Sequence, residues 1–248
     1  MLRLMIFSVG LALLLGASEA ATIRVDPSSE QLYIVGPIVP GDYNRFVAAV
    51  RSASGDVFSV DIVSLGGDVD EAIAIGRLIH KLGFATNAPS AADYAPEARA
   101  MMCNTAGRIA RSPCSCVSAC FLIWAGGVAR SGNDIHIHRI RFTDTSFGAL
   151  PPTEASTRYQ QALEHVHQYL LEMEIPESVW EKMVRMPSWA TEQVDNQSLA
   201  YMTWPPSYAE WLNARCGFPN ANPNWGQCTL DQQRAAARNA LQRFRAGN

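Results

Sequence analysis

The sequence lacks an excess of positive charge. Its 248 residues include 20 Lys and Arg against 23 Asp and Glu, which gives a formal net charge of -3 at pH 7. Proteins that bind nucleic acid depend largely on Lys and Arg side chains that neutralise phosphates. Without such a basic field, nucleic acid is not an expected partner.

Beyond its N-terminus, the sequence also lacks an apolar run of the roughly 20 residues needed to span a membrane. At the N-terminus, Arg3 precedes a short apolar run, Leu4 to Leu15, and small residues follow up to Ala20. This order is typical of a secretory signal peptide with a small-x-small cleavage site. We therefore expect residues 1–20 to be removed, and the mature protein to be soluble and periplasmic or secreted, without a membrane span.

Cofactor motifs are missing too, and the six cysteines lack the paired C-x2-C elements typical of zinc sites. In an exported protein an even number of cysteines favours disulfides, although the sequence alone leaves their pairing open. We expect Cys216 to pair with Cys228, because a bridge would constrain the Pro/Asn/Gly-rich loop 217–227 between them. For the four clustered cysteines, disulfides are favoured over zinc: Cys103, Cys114, Cys116 and Cys120.

The first half of the chain alternates between strand-like and helix-like segments. Short apolar runs at 31–38 and 58–63 predict strands, and helical periods over 42–51 and 69–83 predict helices. Such alternation favours an α/β fold with a mostly parallel sheet and crossover helices. With 48% apolar residues, the chain is also long enough to bury a sizeable core.

The second half is less regular. Residues 87–115, rich in Ala, Pro, Ser and Cys, are interpreted as a long connection. Further elements are predicted by their hydrophobic periods: helices over 117–125, 153–174, 176–186 and 230–244, and a strand over 134–140. We expect residues 21–200 to form the α/β domain, and residues 201–248 to form a small, disulfide-stapled C-terminal extension.

Three segments carry candidate site residues. Gly66-Gly67 lies between a strand and a helix, where glycine lets backbone N–H groups approach a ligand. Ser118 stands at the start of an apolar helix, and His138 shares one face of a predicted strand with His136. Each feature alone also has a structural explanation: a glycine turn, a serine that caps or packs, and a histidine satisfied in the core.

Taken together, these segments resemble the proteolytic subunit of the Clp protease and, more widely, the ClpP/crotonase superfamily. That family combines Gly-Pro-Ile, Ser-x-Gly-Gly-x-Val, a serine at a helix start and Ile-x-Ile-His on a strand. The corresponding residues here are Gly36-Pro37-Ile38, Ser64 to Val69, Ser118 and Ile135 to His138. The motifs shared with this family lie within residues 31–140, and residues 150–200 resemble the family only in their general pattern. The Cys-x-Ser-x-Cys element is closer to exported relatives.

The resemblance implies a ClpP/crotonase-like β-α-β superhelix and an exported ClpP-like serine hydrolase that acts as a peptidase. It implies that Ser118 is the nucleophile and His138 the general base, with the N–H groups of Gly67 and Ala119 forming the oxyanion hole. The reaction would be acyl transfer to water from a peptide, a protein or an ester. Members of the superfamily commonly form rings or trimers, so a homo-oligomer is a possible assembly.

The chain departs from this family at the acidic member of the triad. The matching window, 185–189, reads Arg-Met-Pro-Ser-Trp and contains no carboxylate. Four nearby acids do not match the motif: Asp134, Asp144, Glu192 and Asp195. The two lysines, Lys81 and Lys182, also lie in no matching motif, which sets aside the serine-lysine mechanism of exported signal-peptide peptidases.

Two alternatives stay open. A catalytically inactive protein of the same fold would serve in binding or assembly in the periplasm, which the missing acid and the cysteines beside Ser118 favour. A thiol site would instead use Cys120 with His138, because a cysteine at a helix start can have a depressed pKa.

Overall fold

A computed structural model describes residues 20–26, 30–91, 95–109, 113–141, 150–187 and 189–247. The predicted signal peptide lies outside these residues apart from Ala20. The described strands are β1 (Thr22–Asp26), β2 (Gln31–Val35), β3 (Ser59–Val63), β4 (Ala85–Asn87), β5 (Cys116–Val117), β6 (Arg130–Ser131), β7 (Ile135–Ile137) and β8 (Glu192–Gln193). The described helices are α1 (Asp42–Ser52), α2 (Val69–Leu82), α3 (Pro96–Ile109), α4 (Ala119–Ala125), α5 (Pro152–Glu172), α6 (Glu177–Arg185), α7 (Asn196–Thr203), α8 (Pro206–Cys216) and α9 (Trp225–Arg245). Among them, none is long and apolar enough to cross a membrane.

The strands form two sheets that meet beside the candidate site. The larger has the order β1-β2-β3-β4-β6, in which β2, β3, β4 and β6 run parallel and β1 is antiparallel to β2. The smaller has the order β5-β7-β8, with β5 and β7 parallel. An isolated β-bridge between Ile38 and Gly67 extends the pairing beyond the ends of β2 and β3, and another, between Ser64 and Cys116, links the larger sheet to the smaller one. The predicted α/β class with a mostly parallel sheet is confirmed.

Helices α2 and α4 pack together under the turn that carries Ser118. The Asp68 carboxylate caps α2 by accepting a hydrogen bond from Glu71 N at 2.9 Å, and Gly83 ends the helix with φ 69°. A Cβ placed on Gly126 would lie 2.3 Å from the Gly76 carbonyl oxygen. The two helices therefore approach through glycine, and all seven residues of α4 are buried.

The interpretation of residues 87–115 as an irregular connection is wrong, because α3 occupies much of this range. Helix α3 buries Ala106 and exposes most of its other side chains, so its sequence has no strong apolar stripe of helical period. Tertiary interactions hold it instead: Cys103 is bridged to Cys114, and Arg99 forms an ion pair with Asp134.

The C-terminal segment packs on the same core as the rest of the chain. Helix α9 begins at Trp225, earlier than the predicted 230, and buries Ala237 and Leu241 among the core residues. At its end, Arg245 Nη2 donates to the Ala53 carbonyl at 2.6 Å. The bridge between Cys216 and Cys228 ties the end of α8 to the first turn of α9.

Asp61 gives the larger sheet a pH-dependent stability. Its carboxylate lies buried in the middle of β3 and accepts a hydrogen bond from Asn87 Nδ2 at 2.7 Å. Burial raises the pKa of Asp61 to about 6, although the bond from Asn87 opposes this change. The folded carboxyl therefore keeps its proton to higher pH than the unfolded one, and its stabilising contribution is lost as the pH rises through about 6.

Asp61→Asn should therefore stabilise the protein at high pH, because the amide can still accept the bond from Asn87 but cannot ionise. We expect the free energy of unfolding at pH 8 to rise by about 1–3 kcal/mol relative to the parent protein, with nearly no gain at pH 4. Urea unfolding at both pH values measures this difference. Asp231→Asn, at an exposed carboxyl, is the matched control. Equal gains at pH 4 and pH 8 would contradict the assignment.

Candidate active site

Ser118 occupies a sharp turn between β5 and α4. Its backbone has φ 61° and ψ -123°, a region that residues other than glycine rarely adopt. The Ser118 N–H donates to the His136 carbonyl at 3.0 Å, and the Ser118 carbonyl accepts from Phe121 N at 2.8 Å. A serine on a strained strand-to-helix turn is a known arrangement for a nucleophile, because the turn presents the hydroxyl clear of the backbone.

The glycine pair lies directly against this turn. A Cβ on Gly66 would lie 2.6 Å from Ser118 Cβ, so only glycine allows the two chains to approach so closely. Ile38 N donates to the Gly66 carbonyl and Asp68 N donates to the Ile38 carbonyl, each at 2.9 Å, which completes a parallel bridge without using the Gly67 N–H. Within the described residues, the N–H groups of Gly67 and Ala119 have no hydrogen-bond acceptor.

His138 follows the end of β7 and is held by the main chain. Its Nδ1 lies 2.6 Å from the Arg139 carbonyl oxygen. Because a carbonyl can only accept, Nδ1 carries the proton in this contact and Nε2 is left with a lone pair. With this proton on Nδ1, the neutral form of the ring is the tautomer that a general base needs, and the Arg139 carbonyl orients it.

A single small pocket brings the predicted site residues together. It encloses about 50 Å³ and is lined by Gly67, Ser118, Ala119 and His138. Its other lining residues are mostly apolar: Val69, Leu122, Ile137, Ile140, Arg141, Val166 and Met183. No hydrogen bond joins the Ser118 hydroxyl to His138 among the described residues, and such contacts often tighten only when substrate binds.

The acids considered from the sequence have other partners. Asp195 caps α7 by accepting from Ser198 N at 2.8 Å, and Glu192 pairs with Lys182 at 2.6 Å. Asp144 lies outside the described residues, as does Ser188 of the window 185–189. Neither Lys81 nor Lys182 lines the pocket.

Asp134, the remaining acid, belongs to a separate polar cluster behind the site. Its Oδ1 contacts His136 Nε2 at 2.8 Å, and its Oδ2 accepts from Ser115 Oγ at 3.1 Å and pairs with Arg99. Burial opposes ionisation of Asp134, but the hydrogen bonds from Arg99, His136 and Ser115 outweigh it and hold its pKa below the ordinary value. His136 is therefore engaged here, and of the two histidines it is His138 that lines the pocket.

All six cysteines are in disulfides. The pairs are Cys103–Cys114, Cys116–Cys120 and Cys216–Cys228. The clustered cysteines therefore have no thiolate to offer zinc, and Cys120 has no free thiol for the alternative with His138. In the described part of the chain, no group of three or more His, Cys, Asp or Glu side chains is arranged to hold a metal.

Sequence reasoning missed the partner of His138. The family motif calls for a carboxylate, and a backbone carbonyl was considered in its place without a residue being named; the group in contact is the carbonyl of the next residue, Arg139. A main-chain acceptor has no residue-type signature, so no sequence pattern points to it.

Comparison with known proteins adds little to this geometry. No protein-family model matches the chain, and no curated protein matches its sequence. Among solved structures, it is similar to ClpP1 from Listeria monocytogenes, with a TM-score of 0.45 and 13% sequence identity over 71% of this chain and 89% of that chain. Function has to be inferred from the site itself.

Proposed function

We propose that this protein is a serine hydrolase, acting as a peptidase or esterase, in which Ser118 is the nucleophile and His138 the general base. The observation that carries the proposal is that one pocket is lined by Ser118, His138, Gly67 and Ala119. Serine on a strained turn, an oriented imidazole and two free N–H groups are the parts that acyl transfer requires.

In the first step, His138 Nε2 takes the proton of the Ser118 hydroxyl as Oγ attacks the carbonyl carbon of the substrate. The imidazolium that forms keeps its Nδ1–H bond to the Arg139 carbonyl, whose negative end stabilises the positive ring. His138 then gives the proton to the leaving amine or alcohol. Water, activated by the same ring, hydrolyses the acyl-enzyme and releases the acid.

The N–H groups of Gly67 and Ala119 are the donors for the oxyanion of the tetrahedral intermediate. Both residues line the pocket, and neither N–H has an acceptor among the described residues. Donors that wait unpaired beside a nucleophile need little reorganisation when charge develops, which is why such groups are worth a large part of the rate.

The lining favours an acyl group with an apolar side chain. Six of the side chains around the four site residues are aliphatic or thioether: Val69, Leu122, Ile137, Ile140, Val166 and Met183. Burial of apolar substrate surface against them supplies binding energy at about 25 cal/mol per Å².

The proposed location is an oxidising compartment, the periplasm or the cell exterior. Three disulfides are consistent with it, because thiols in the cytosol are kept reduced. In this proposal residues 21–248 are the mature chain, and residues 1–20 direct its export.

A second candidate function is binding or assembly without catalysis. The observation that favours it is that the imidazole of His138 contacts a carbonyl and no carboxylate among the described residues. A neutral carbonyl stabilises the imidazolium that forms during acyl transfer less than a carboxylate does.

Labelling with a fluorophosphonate probe distinguishes the two functions. We expect the purified, oxidised protein to be labelled, Ser118→Ala to abolish labelling, and His138→Gln to slow it by about 10²- to 10⁴-fold. Ser131→Ala, at an exposed serine on β6, is the matched control and should be labelled at the parent rate. A parent protein that is unlabelled in both the oxidised and the reduced state would favour the binding function.

A further inference from the structure

The disulfide between Cys116 and Cys120 spans the turn that carries Ser118. Cys116 belongs to β5, where its N–H donates to the Asp134 carbonyl at 3.1 Å. Cys120 belongs to the first turn of α4, and both cysteines are fully buried. The disulfide thus joins β5 to α4, and the relative placement of these two elements sets the backbone conformation of Ser118.

The bridge lies behind the serine and not in front of it. Ser118 and Ala119 line the pocket, whereas Cys116 and Cys120 are absent from its lining in the described part of the chain. The sulfurs therefore leave the space beside the hydroxyl free, and the bridge shapes the site without blocking it.

Ser118 needs such a constraint because its backbone conformation is unfavourable. A non-glycine residue at φ 61° and ψ -123° persists only where its surroundings over-determine it. Gly66 limits the turn on one side, where a Cβ would lie 2.6 Å from Ser118 Cβ. The hydrogen bond from Ser118 N to the His136 carbonyl restrains the turn on a second side. The Cys116–Cys120 disulfide joins the two ends of the turn.

We propose that the Cys116–Cys120 disulfide is a positioning device that holds Ser118 in its strained, pocket-facing conformation, so that activity depends on its oxidation. This inference rests on the proposed hydrolase function. Opening the bridge requires a dithiol reductant: two electrons and two protons pass from the dithiol to the two sulfurs, giving two cysteine thiols and the disulfide of the reductant.

The first test compares two bridge-free variants in the full chain. We expect Cys116→Ala/Cys120→Ala to lower the rate constant of fluorophosphonate labelling by about 10- to 100-fold, because a small displacement of a nucleophile costs this much. The pH dependence of labelling should stay the same, since His138 is untouched. The matched control, Cys103→Ala/Cys114→Ala, removes the neighbouring bridge and should be labelled within about twofold of the parent rate.

Each outcome of this comparison is decisive. A folded Cys116→Ala/Cys120→Ala variant that is labelled at the parent rate overturns the positioning role and leaves the hydrolase proposal intact. An equal loss in the control variant also overturns it, because the effect would then belong to general stability. A parent protein that is not labelled overturns both proposals.

A second measurement does not depend on catalysis. Glycine adopts φ 61° without strain, so Ser118→Gly should relieve more strain where the Cys116–Cys120 disulfide helps to impose this conformation. We expect the change in Tm caused by Ser118→Gly to be more positive by about 2–4 °C in the bridged protein than in the Cys116→Ala/Cys120→Ala background. Equal changes in both backgrounds would show that the bridge does not hold the turn.

Stepwise reduction of the parent protein covers the case in which the double variant does not fold. Cys103 and Cys114 are only partly buried, so a dithiol should open their bridge before it opens the fully buried one. We expect labelling to persist after the Cys103–Cys114 disulfide is reduced. It should fall when alkylation and mass spectrometry detect thiols at Cys116 and Cys120. Labelling that persists after both are alkylated overturns the proposal.

Discussion

Gly67→Ala is expected to slow labelling of Ser118 by at least about 10²-fold and to destabilise the protein by about 2–4 kcal/mol. A Cβ at this position would lie 2.0 Å from the Ile38 carbonyl oxygen, and its other near neighbours are backbone atoms of Ile38. Gly67 also has φ 142°, which side chains disfavour. The β-bridge between Ile38 and Gly67 must open to admit the methyl group. The Gly67 N–H, the proposed oxyanion donor, then moves as well. Loss of one such donor costs about 10²- to 10³-fold in rate.

Two other glycines separate the causes of this effect. Gly41 has φ 94° and open space around its Cβ position, so Gly41→Ala reports the cost of a positive φ alone. Gly55 has open space and no positive φ, so Gly55→Ala should leave both stability and labelling unchanged. Urea unfolding and the labelling rate, measured on all three variants, give the comparison. Parent-like labelling of a folded Gly67→Ala variant would exclude the Gly67 N–H as a donor.

Arg130→Met is expected to destabilise the protein by about 3–5 kcal/mol. The guanidinium is 2% exposed and donates to three carbonyls: Gly127 at 2.9 Å, Met202 at 3.0 Å and Met173 at 2.6 Å. Met173 follows the end of α5 and Met202 lies in the last turn of α7, so the cation sits at two negative helix ends. Burial lowers the pKa of Arg130 to about 10, which still leaves it charged at neutral pH. Methionine would fill the space but leave three carbonyls without donors.

The matched control is Arg158→Met. Arg158 is exposed on α5 and pairs with Glu154 one turn away, an interaction worth well under about 1 kcal/mol. Arg130→Lys keeps the charge but cannot reach three carbonyls at once, so an intermediate loss is expected. Urea unfolding of the three variants measures these differences. If Arg130→Met lowered the free energy of unfolding by less than about 1 kcal/mol, the three carbonyls would have other hydrogen-bond donors, such as water. That result would contradict the stabilising role of the guanidinium.

Elements with a strong hydrophobic period were predictable from the sequence, and elements held by other forces were not. Helix α2 has an apolar face, an aspartate N-cap and a glycine C-cap, and its observed range agrees with the prediction. Helix α3 buries a single residue, Ala106, among those described, and depends on a disulfide and an ion pair formed with distant residues. Such partners are invisible to a local pattern, which is why this helix was interpreted as a loop.

The candidate site divides in the same way. Gly67, Ser118 and His138 were selected because the order and spacing of their motifs resemble those of the Clp protease family. That they line one pocket depends on the pairing of Ile38 with Gly67 and of Ser64 with Cys116, which bring distant segments side by side. The partner of His138 was not predictable, because a main-chain carbonyl can accept from any neighbour.

By itself, the sequence determined the α/β class, the candidate nucleophile and base, and the presence of cysteines suited to disulfides. The class follows from short-range period, which burial of apolar side chains converts into helices and strands. The roles of Ser118 and His138 come instead from the resemblance of the combined motifs to the Clp protease family. Only the tertiary structure decided the pairing of Cys116 with Cys120, the burial of Arg130 against two helix ends, and the φ of 61° at Ser118. The burial of Arg130 depends on segments far apart in the chain. The Cys116–Cys120 pairing and the backbone of Ser118 are local in sequence, but the turn that brings them about is set by the packing of β5 and α4 against the rest of the core.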